Sequence, residues 1–174
     1  MRKFDTLTGL VAGIALGVIG CAPIAASSYT DLEKHMMRWE GMKLNAYRDQ
    51  AGVPTICVGH TSDKIYPVQM GETWDKAKCL TVLRHDISEA QAAIAWLVTV
   101  PLTDGQRAAL TSFVFNVGVG AFKRSTLLQA LNLGLYEDVP SELRRWNKVT
   151  VNGKKRVSNG LVNRREAEVA LWLS

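Results

Sequence analysis

The chain has 174 residues, enough for one globular domain with a sizeable core behind a separable N-terminal segment. Its 21 lysines and arginines outnumber its 16 aspartates and glutamates, so the formal net charge is +5 and the pI is about 9.2. This charge favours an acidic polymer as partner, such as a cell wall, an anionic membrane or a nucleic acid. No RNA- or DNA-binding signature accompanies the basic residues, so we expect no nucleic-acid partner.

The N-terminal residues predict export. A basic start at residues 2–3 precedes residues 6–29, which carry no charge, are rich in glycine and alanine and contain Pro23. Glycine and alanine contribute little to membrane insertion, so we expect marginal insertion. Three readings stay open: a signal peptide cleaved near the small residues 25–28, a lipoprotein signal with Cys21 as the lipidated residue, and an uncleaved, weakly held anchor.

Three cysteines are an odd number for an exported chain, so one disulfide and one spare thiol are the simplest arrangement. We favour the pair Cys57 with Cys79, since both lie in the globular part. Cys21 would then be lipidated, buried in the membrane or free to exchange. The alternative is three unpaired cysteines that act as small apolar residues.

The first predicted helix of the globular part is short. Residues 30–33 read Thr-Asp-Leu-Glu, a capping box, and apolar side chains recur at helical spacing up to Trp39. The helix should run to about Glu40 and end at Gly41. Because the helix dipole and Trp39 both disfavour a negative charge there, we expect Glu40 to keep a proton available for donation.

Residues 44–60 predict two short extended pieces joined by a turn at residues 50–52. Asp49 would lie at the turn and Thr55 on the returning strand. Glu40, Asp49 and Thr55 follow one another at spacings of nine and six residues. Two carboxyl groups and a hydroxyl are suited to a hydrolase that needs a proton donor and a positioned water.

The rest of the chain predicts helices. A long helix over residues 73–98, about 35 to 40 Å at 1.5 Å per residue, should connect two lobes. A second capping box at residues 103–106 opens a helix that the glycines of residues 115–122 end. Further helices are predicted over residues 125–133, 140–147 and 160–173, with a polar loop at 149–159.

The sequence contains no repeat, glycine-rich phosphate loop or His/Cys cluster at metal-binding spacing. His35, His60 and His85 are scattered along the chain, which argues against zinc. We therefore expect neither a cofactor nor a metal.

Several short motifs, and the spacing between them, resemble those of the phage-type lysozymes, the muramidases of glycoside hydrolase family 24. The resemblance covers nearly all of residues 30–174, and the glycine- and alanine-rich front end is similar to the signal-arrest-release endolysins of that family. The motifs are Glu40-Gly41, Tyr47-Arg48-Asp49, Gly52, Thr55-Ile56, Gly59-His60, Phe115-Asn116-Val117-Gly118, Asn163-Arg164-Arg165 and Glu168.

This resemblance implies an α+β lysozyme-like fold, with a small lobe carrying a β-hairpin, a long connecting helix and a mainly helical C-terminal lobe over residues 29–174. It implies hydrolysis of the bond between N-acetylmuramic acid and N-acetylglucosamine in peptidoglycan, by a periplasmic enzyme tethered to the inner membrane through residues 6–28. Residues 1–28 would be the signal-anchor, and the released enzyme a monomer. Rival readings are a lytic transglycosylase and a non-catalytic wall-binding protein.

The family pattern also implies roles for the three spaced residues. Glu40 would be the general acid, Asp49 would assist the attacking water or the developing positive charge, and Thr55 would help hold that water. An inverting reaction needs the two carboxyl groups about 6.5 to 9.5 Å apart, and a retaining one about 5 Å.

Other positions carry over with supporting roles. Arg164 would pair with the catalytic Glu40, and His60 with Asp86 would form a buried pair that steadies the fold. For the substrate, Asn116 and Gly118 would form a segment of the cleft floor and Trp146 could meet a sugar, although a core role for this tryptophan is at least as plausible.

One position departs from the family pattern. Many relatives have glycine where Cys57 stands, two residues after Thr55. A bulky or disulfide-bonded residue there alters the hairpin beside the proposed site and makes redox control conceivable. We favour a simple structural disulfide.

Overall fold

The computed structural model describes residues 30–49, 52–151 and 153–174. The predictions made for residues 1–28, including those on Cys21 and on a membrane anchor, lie outside these ranges. Within them, no helix combines the length and the apolar character needed to cross a bilayer.

The described chain forms helices and two small antiparallel sheets, as the α+β prediction requires. In chain order the elements are α1 (Asp31–Glu40), β1 (Lys43–Arg48), β2 (Pro54–Cys57), β3 (His60–Thr61), α2 (Lys76–Leu97), α3 (Asp104–Val117), α4 (Val119–Lys123), α5 (Thr126–Asn132), a 3₁₀ turn (Tyr136–Asp138), α6 (Val139–Arg144), β4 (Lys148–Val151), β5 (Lys154–Val157) and α7 (Asn159–Trp172).

Helix α1 begins and ends where its local signals predict. The Thr30 side chain accepts from the Glu33 backbone, and the Glu33 side chain accepts in return from the Thr30 backbone. Gly41, at φ 70°, ends the helix and donates its N–H to the Met37 carbonyl. The predicted position of Glu40 at the helix C-terminus is confirmed.

The first sheet has the order β1-β2-β3. Its hairpin is confirmed: β1 and β2 are antiparallel, and Gly52 has the positive φ of 80° that the turn was expected to need. The second extended piece divides in two, because a turn at Gly59 folds β3 back onto β2. Thr55 on the central strand therefore faces Tyr47 on one side and Thr61 on the other.

Helix α2 begins at Lys76, three residues later than predicted. Asp75 is its N-cap and accepts from the Lys78 backbone. Thr73 instead bridges to β1, where its hydroxyl donates to the Asn45 side chain at 2.7 Å. A residue that pairs across a sheet edge cannot also have helical backbone, so the helix starts at the next capping side chain.

The connecting role predicted for α2 is confirmed by its packing. Its 22 residues extend about 33 Å and contribute to every hydrophobic cluster of the described chain. Cys79 and Val82 pack under the first sheet, Leu83 packs with Met36 of α1, and Ile94 packs among the C-terminal helices. One helix thus supports both lobes.

The prediction of a polar loop over residues 149–159 is wrong. These residues form the β4–β5 hairpin, in which Val151 pairs with Lys154 across a two-residue connection. The sequence Asn-Gly at this connection is the strongest short hairpin signal, and Gly153 has φ 73°. Because the strands carry exposed lysines, the polar composition of this segment is also typical of a loop.

Candidate active site

Glu40 lies at the C-terminal end of α1. Its side chain is 23% exposed and forms an ion pair with an arginine. The Nη1 atom of Arg164 donates to Glu40 Oε1, across 124 residues of sequence. Arg164 belongs to α7 and is buried, with 4% of its side chain exposed. The pairing implied by the family pattern is therefore present in the structure, with one face of the carboxyl group left open to solvent.

A glycine keeps that face accessible. Gly59, in the turn between β2 and β3, has φ 80°, and a methyl group in its place would lie 3.6 Å from Glu40 Oε2. Any larger side chain would cover the carboxyl group and adopt an unfavourable backbone conformation. Gly59 belongs to the matched motif, but sequence reasoning assigned it no role, since only the fold brings this turn to α1.

Asp49 lies in the β1–β2 turn, as predicted. Its Oδ1 accepts from the Val53 N–H at 2.8 Å, and its backbone N–H donates to the Val53 carbonyl at 3.0 Å. Tyr47 interacts electrostatically with both Asp49 and Glu40. Burial is the first cause that raises the pKa of Tyr47, and the negative charges of Glu40 and Asp49 raise it further. The phenol therefore lies in the electrostatic field of both carboxyl groups.

Thr55 is buried on β2, opposite Tyr47 in the strand register. Its hydroxyl donates to the Val53 carbonyl at 3.0 Å, which fixes the hydrogen and leaves the two lone pairs of the oxygen able to accept hydrogen bonds. The hairpin thus brings Thr55 beside Tyr47 on β1, the strand that leads into the turn with Asp49.

Cys57 and Cys79 form a disulfide, with Cα atoms 5.1 Å apart. The bond ties β2 to α2 inside a cluster that also contains Ile56 and Trp74. Cys57 has φ 59°, the left-handed region that favours glycine. Glycine adopts this backbone conformation without strain, which agrees with the glycine that the family resemblance implies at this position.

His60 and Asp86 are also in contact. His60 is buried, with Nδ1 3.0 Å from both Asp86 oxygens and Nε2 2.9 Å from the Tyr66 carbonyl. Both ring nitrogens face acceptors, so the charged imidazolium satisfies both. Burial alone would lower the pKa of His60, but the hydrogen bonds to Asp86 and Tyr66, with the charges of Asp86 and Asp63, raise it overall.

We expect the His60–Asp86 pair to stabilise the fold most at acidic pH. Because the folded pKa exceeds the ordinary 6.5, this stabilisation is fully present below that value and is lost as pH rises through the folded pKa. Asp86→Asn should remove most of this dependence, measured as the free energy of unfolding in urea from about pH 5 to about pH 8. Glu137→Gln, on the helical lobe, is the charge-matched control. An Asp86→Asn profile parallel to the wild type would contradict the assignment.

A cluster that the sequence did not suggest adjoins this pair. Asp63, His85, Asp86 and Glu89 each place one potential metal ligand atom within 4.8 Å of the others. They already pair with one another or with His60, however: His85 Nε2 lies 3.0 Å from Asp63 and 3.7 Å from Glu89. The histidines are far apart in the sequence, so only the fold brings these four side chains together. Their contacts with one another and with His60 account for the cluster.

The three predicted substrate-binding residues line two cavities. Asn116 and Trp146 line a cavity of about 890 Å³, and Gly118 lines a separate one of about 300 Å³ together with Gly59. Asn116 Oδ1 accepts from the buried Arg165 at 2.9 Å, so its amide is held in place. Trp146 also packs edge-to-face on Phe113, at 5.4 Å between ring centroids, which gives it a core role in addition.

Comparisons with known proteins agree with this geometry. A family model described as phage lysozyme matches residues 37–168. The chain is 40% identical over 159 residues to the SAR-endolysin of Escherichia phage Mu, covering 91% of this chain and 88% of that protein. It is 40% identical over 137 residues to the endolysin of Acyrthosiphon pisum secondary endosymbiont phage 1, covering 79% of this chain and 91% of that protein.

A solved structure supports the same fold. The endolysin from Escherichia coli O157:H7 phage FAHEc1 superposes with a TM-score of 0.75 at 34% identity, covering 86% of this chain and 95% of that chain. The predicted lysozyme-like fold is thereby confirmed. Since the family model spans most of the described residues, the chain belongs to the phage lysozyme family.

Proposed function

We propose that this protein is a phage endolysin that lyses peptidoglycan by hydrolysing the β-1,4 bond between N-acetylmuramic acid and N-acetylglucosamine. The observation that carries the proposal is the position of Glu40: a partly exposed carboxyl group at a helix end, beside Gly59 and fixed by a buried arginine. A proton donor needs this combination of access and fixed orientation.

In the proposed reaction, Glu40 protonates the glycosidic oxygen as the bond to the anomeric carbon breaks. Asp49 assists the water that attacks this carbon and stabilises the positive charge that develops on the sugar ring. Thr55 helps to hold that water through its hydroxyl oxygen. The water supplies the new hydroxyl group, so the products are a reducing N-acetylmuramic acid end and a free hydroxyl on N-acetylglucosamine. On this proposal the protein is a muramidase of glycoside hydrolase family 24.

Substrate binding is assigned to the surfaces on either side of Asn116. Asn116, Gly118 and Trp146 line the two cavities, and the larger of these also has Arg145 and Lys148 at its rim. Cationic side chains beside polar and aromatic ones match a glycan polymer that carries carboxylate-bearing peptides. The formal net charge of +5 supports the same polymer as the partner.

We assign the N-terminal residues to export and to temporary attachment. The relative from phage Mu is named a SAR-endolysin, and its match extends over 91% of this chain. On this proposal, residues 1–28 are a signal-anchor that tethers the enzyme to the inner membrane, residues 29–174 are the lysozyme domain, and the released periplasmic enzyme is a monomer.

The products of digestion test the reaction. We expect soluble fragments from purified peptidoglycan to end in reducing N-acetylmuramic acid, as mass spectrometry would show. A lytic transglycosylase would instead leave a cyclic anhydro sugar, lighter by the mass of one water. Fragments of that lighter mass would contradict hydrolysis, and a wild type that binds walls without releasing fragments would contradict an enzyme altogether.

A further inference from the structure

The proposed reaction makes no use of one buried carboxyl group close to its proton donor. Glu168 lies on α7, one helical turn after Arg164, and its side chain is 0% exposed. An acidic side chain is almost never fully buried unless it is paired, because the cost of desolvating its charge is large.

Glu168 is hydrogen-bonded through one of its two carboxyl oxygens. Its Oε1 accepts from the Ser112 hydroxyl at 2.8 Å, from Arg165 Nη2 at 2.9 Å and from Arg164 Nε at 3.3 Å. Its Oε2 lies 2.8 Å from Arg165 Nε in an ion-pair contact, without the N–H alignment of a hydrogen bond. Burial raises the pKa of Glu168, while Arg165, Ser112 and Arg164 oppose the rise. Burial is the larger of these effects, so the pKa of Glu168 lies above its ordinary value, while the three donors on Oε1 favour the ionised carboxylate.

Arg164 is therefore shared between two carboxyl groups. Its Nη1 donates to Glu40, its Nε to Glu168, and its Nη2 to the Ser112 carbonyl at 3.3 Å. All three guanidinium nitrogen atoms of Arg164 thus donate hydrogen bonds. The group cannot rotate further toward Glu40 without breaking its hydrogen bond to Glu168. The position of Arg164, and the share of its charge that Glu40 experiences, depend on Glu168.

The charges balance as a set. Arg164 and Arg165 carry two positive charges, and Glu40 and Glu168 carry two negative ones when both are ionised. The charge of Glu40 also acts on Arg165, so all four residues belong to one electrostatic unit. Without Glu168, the charges of two buried guanidiniums would act on Glu40 with one carboxylate fewer to balance them, which favours the anionic form that cannot donate a proton.

Other titratable groups that face Glu40 leave this balance unchanged. Tyr47 lies on β1 and Asp49 in the turn that follows it, and the raised pKa of Tyr47 keeps its phenol neutral. On α1, His35 Nε2 lies 3.2 Å from the Ser112 hydroxyl; burial, and then the charges of Arg164 and Arg38, lower the pKa of His35. His35 is thus neutral at neutral pH and adds no charge to the set.

We propose that Glu168 is a positioning residue for the reaction: by sharing Arg164 and neutralising Arg165, it keeps Glu40 able to hold the proton that it donates. Through Arg165, which also donates to Asn116, the same carboxylate helps to order the cavity floor. The inference rests on the proposed role of Glu40 as general acid.

The pH dependence of hydrolysis by Glu168→Gln tests this proposal in the full-length chain, purified in mild detergent. Glutamine keeps the shape and an acceptor oxygen but removes the charge. We expect the alkaline limb of the pH–rate profile, where Glu40 loses its proton, to move to lower pH by about one unit. At a fixed pH above the limb, this shift is about a tenfold loss of rate.

Two matched variants separate charge from packing. Glu166→Gln makes the same chemical change two residues away, at a side chain that is 50% exposed and paired with Arg144, and it should leave the limb in place. Glu168→Asp restores the charge but not the shape, and it should return the limb to the wild-type position even if stability falls. A Glu168→Gln variant that loses rate by one factor at every pH would show a packing role and overturn the proposal.

Two further measurements keep the outcomes distinct. If Glu168→Gln does not fold, Arg165→Met tests the same charge balance, because it removes a positive charge and should move the alkaline limb to higher pH. An unmoved limb in that variant overturns the proposal. The titration of Glu40 can also be followed by carbon NMR, with Glu40→Gln for assignment, and this needs no turnover. A wild type that hydrolyses nothing would therefore defeat the proposed function, whereas an unshifted Glu40 titration in Glu168→Gln would defeat only this inference.

Discussion

Glu40→Gln should reduce the clearing of outer-membrane-stripped cells by about 10³-fold while leaving the fold intact. Glutamine has no acidic proton to transfer to the glycosidic oxygen, yet its amide oxygen can still accept from Arg164, so the buried guanidinium keeps a partner. The rate is measured as the decrease in turbidity, and the fold by circular dichroism and thermal unfolding.

The control for this variant is Glu137→Gln, the same chemical change at an exposed side chain of the 3₁₀ turn. It should clear cells at the wild-type rate. A Glu40→Gln variant that keeps most of the wild-type rate would remove Glu40 from the role of general acid, whatever the fate of the fold.

Removal of the Cys57–Cys79 disulfide should cost about 3 kcal/mol of unfolding free energy, because the bond closes a loop across 22 residues of sequence. The choice of residue at position 57 should then matter. At φ 59°, alanine is strained and glycine is not, so Cys57→Gly with Cys79→Ala should be about 1 kcal/mol more stable than Cys57→Ala with Cys79→Ala.

Both double variants are compared by urea unfolding against a reference in which only Cys21 is replaced by serine. The same replacement is made in every chain, so that no spare thiol can exchange. Since the disulfide lies in the cluster beneath the first sheet, hydrogen exchange in β2 should accelerate before that in α3. Equal stabilities for the glycine and alanine variants would show that the left-handed backbone at position 57 carries no strain.

Local signals in the sequence were read correctly where the interaction they encode is also local. The capping boxes of α1 and α3 join residues three apart, and the hairpin turn at Gly52 requires only one positive φ. The late start of α2 shows the limit of this approach, because Thr73 has helix-compatible neighbours but pairs with Asn45, 28 residues earlier. The β4–β5 hairpin had its Asn-Gly signal in the sequence, and β4 alternates as Lys-Val-Thr-Val, but β5 reads Lys-Lys-Arg-Val and has no such alternation.

The site itself was reached in two different ways. The spacing of Glu40, Asp49 and Thr55 indicated a hydrolase from the residue types alone, whereas the partners Arg164 and Asp86 came from family resemblance. No local pattern identifies Glu168 as buried, since a glutamate that follows two consecutive arginines by three and four residues is typical of a solvated helix face. Helix α7 packs against α3, which turns that face inward and leaves the carboxylate with Ser112 and the arginines.

The sequence by itself determined the capped starts of α1 and α3, the first hairpin, the cysteine pair that the structure shows and the family to which the chain belongs. Only the tertiary structure decided how Glu40 is held, because its hydrogen bond to Arg164 spans 124 residues and exists only when α1 and α7 meet. Short-range hydrogen bonds are fixed by neighbouring residue types and can be read from them. Buried charges are fixed by which faces pack together, so their partners become visible only in the folded chain.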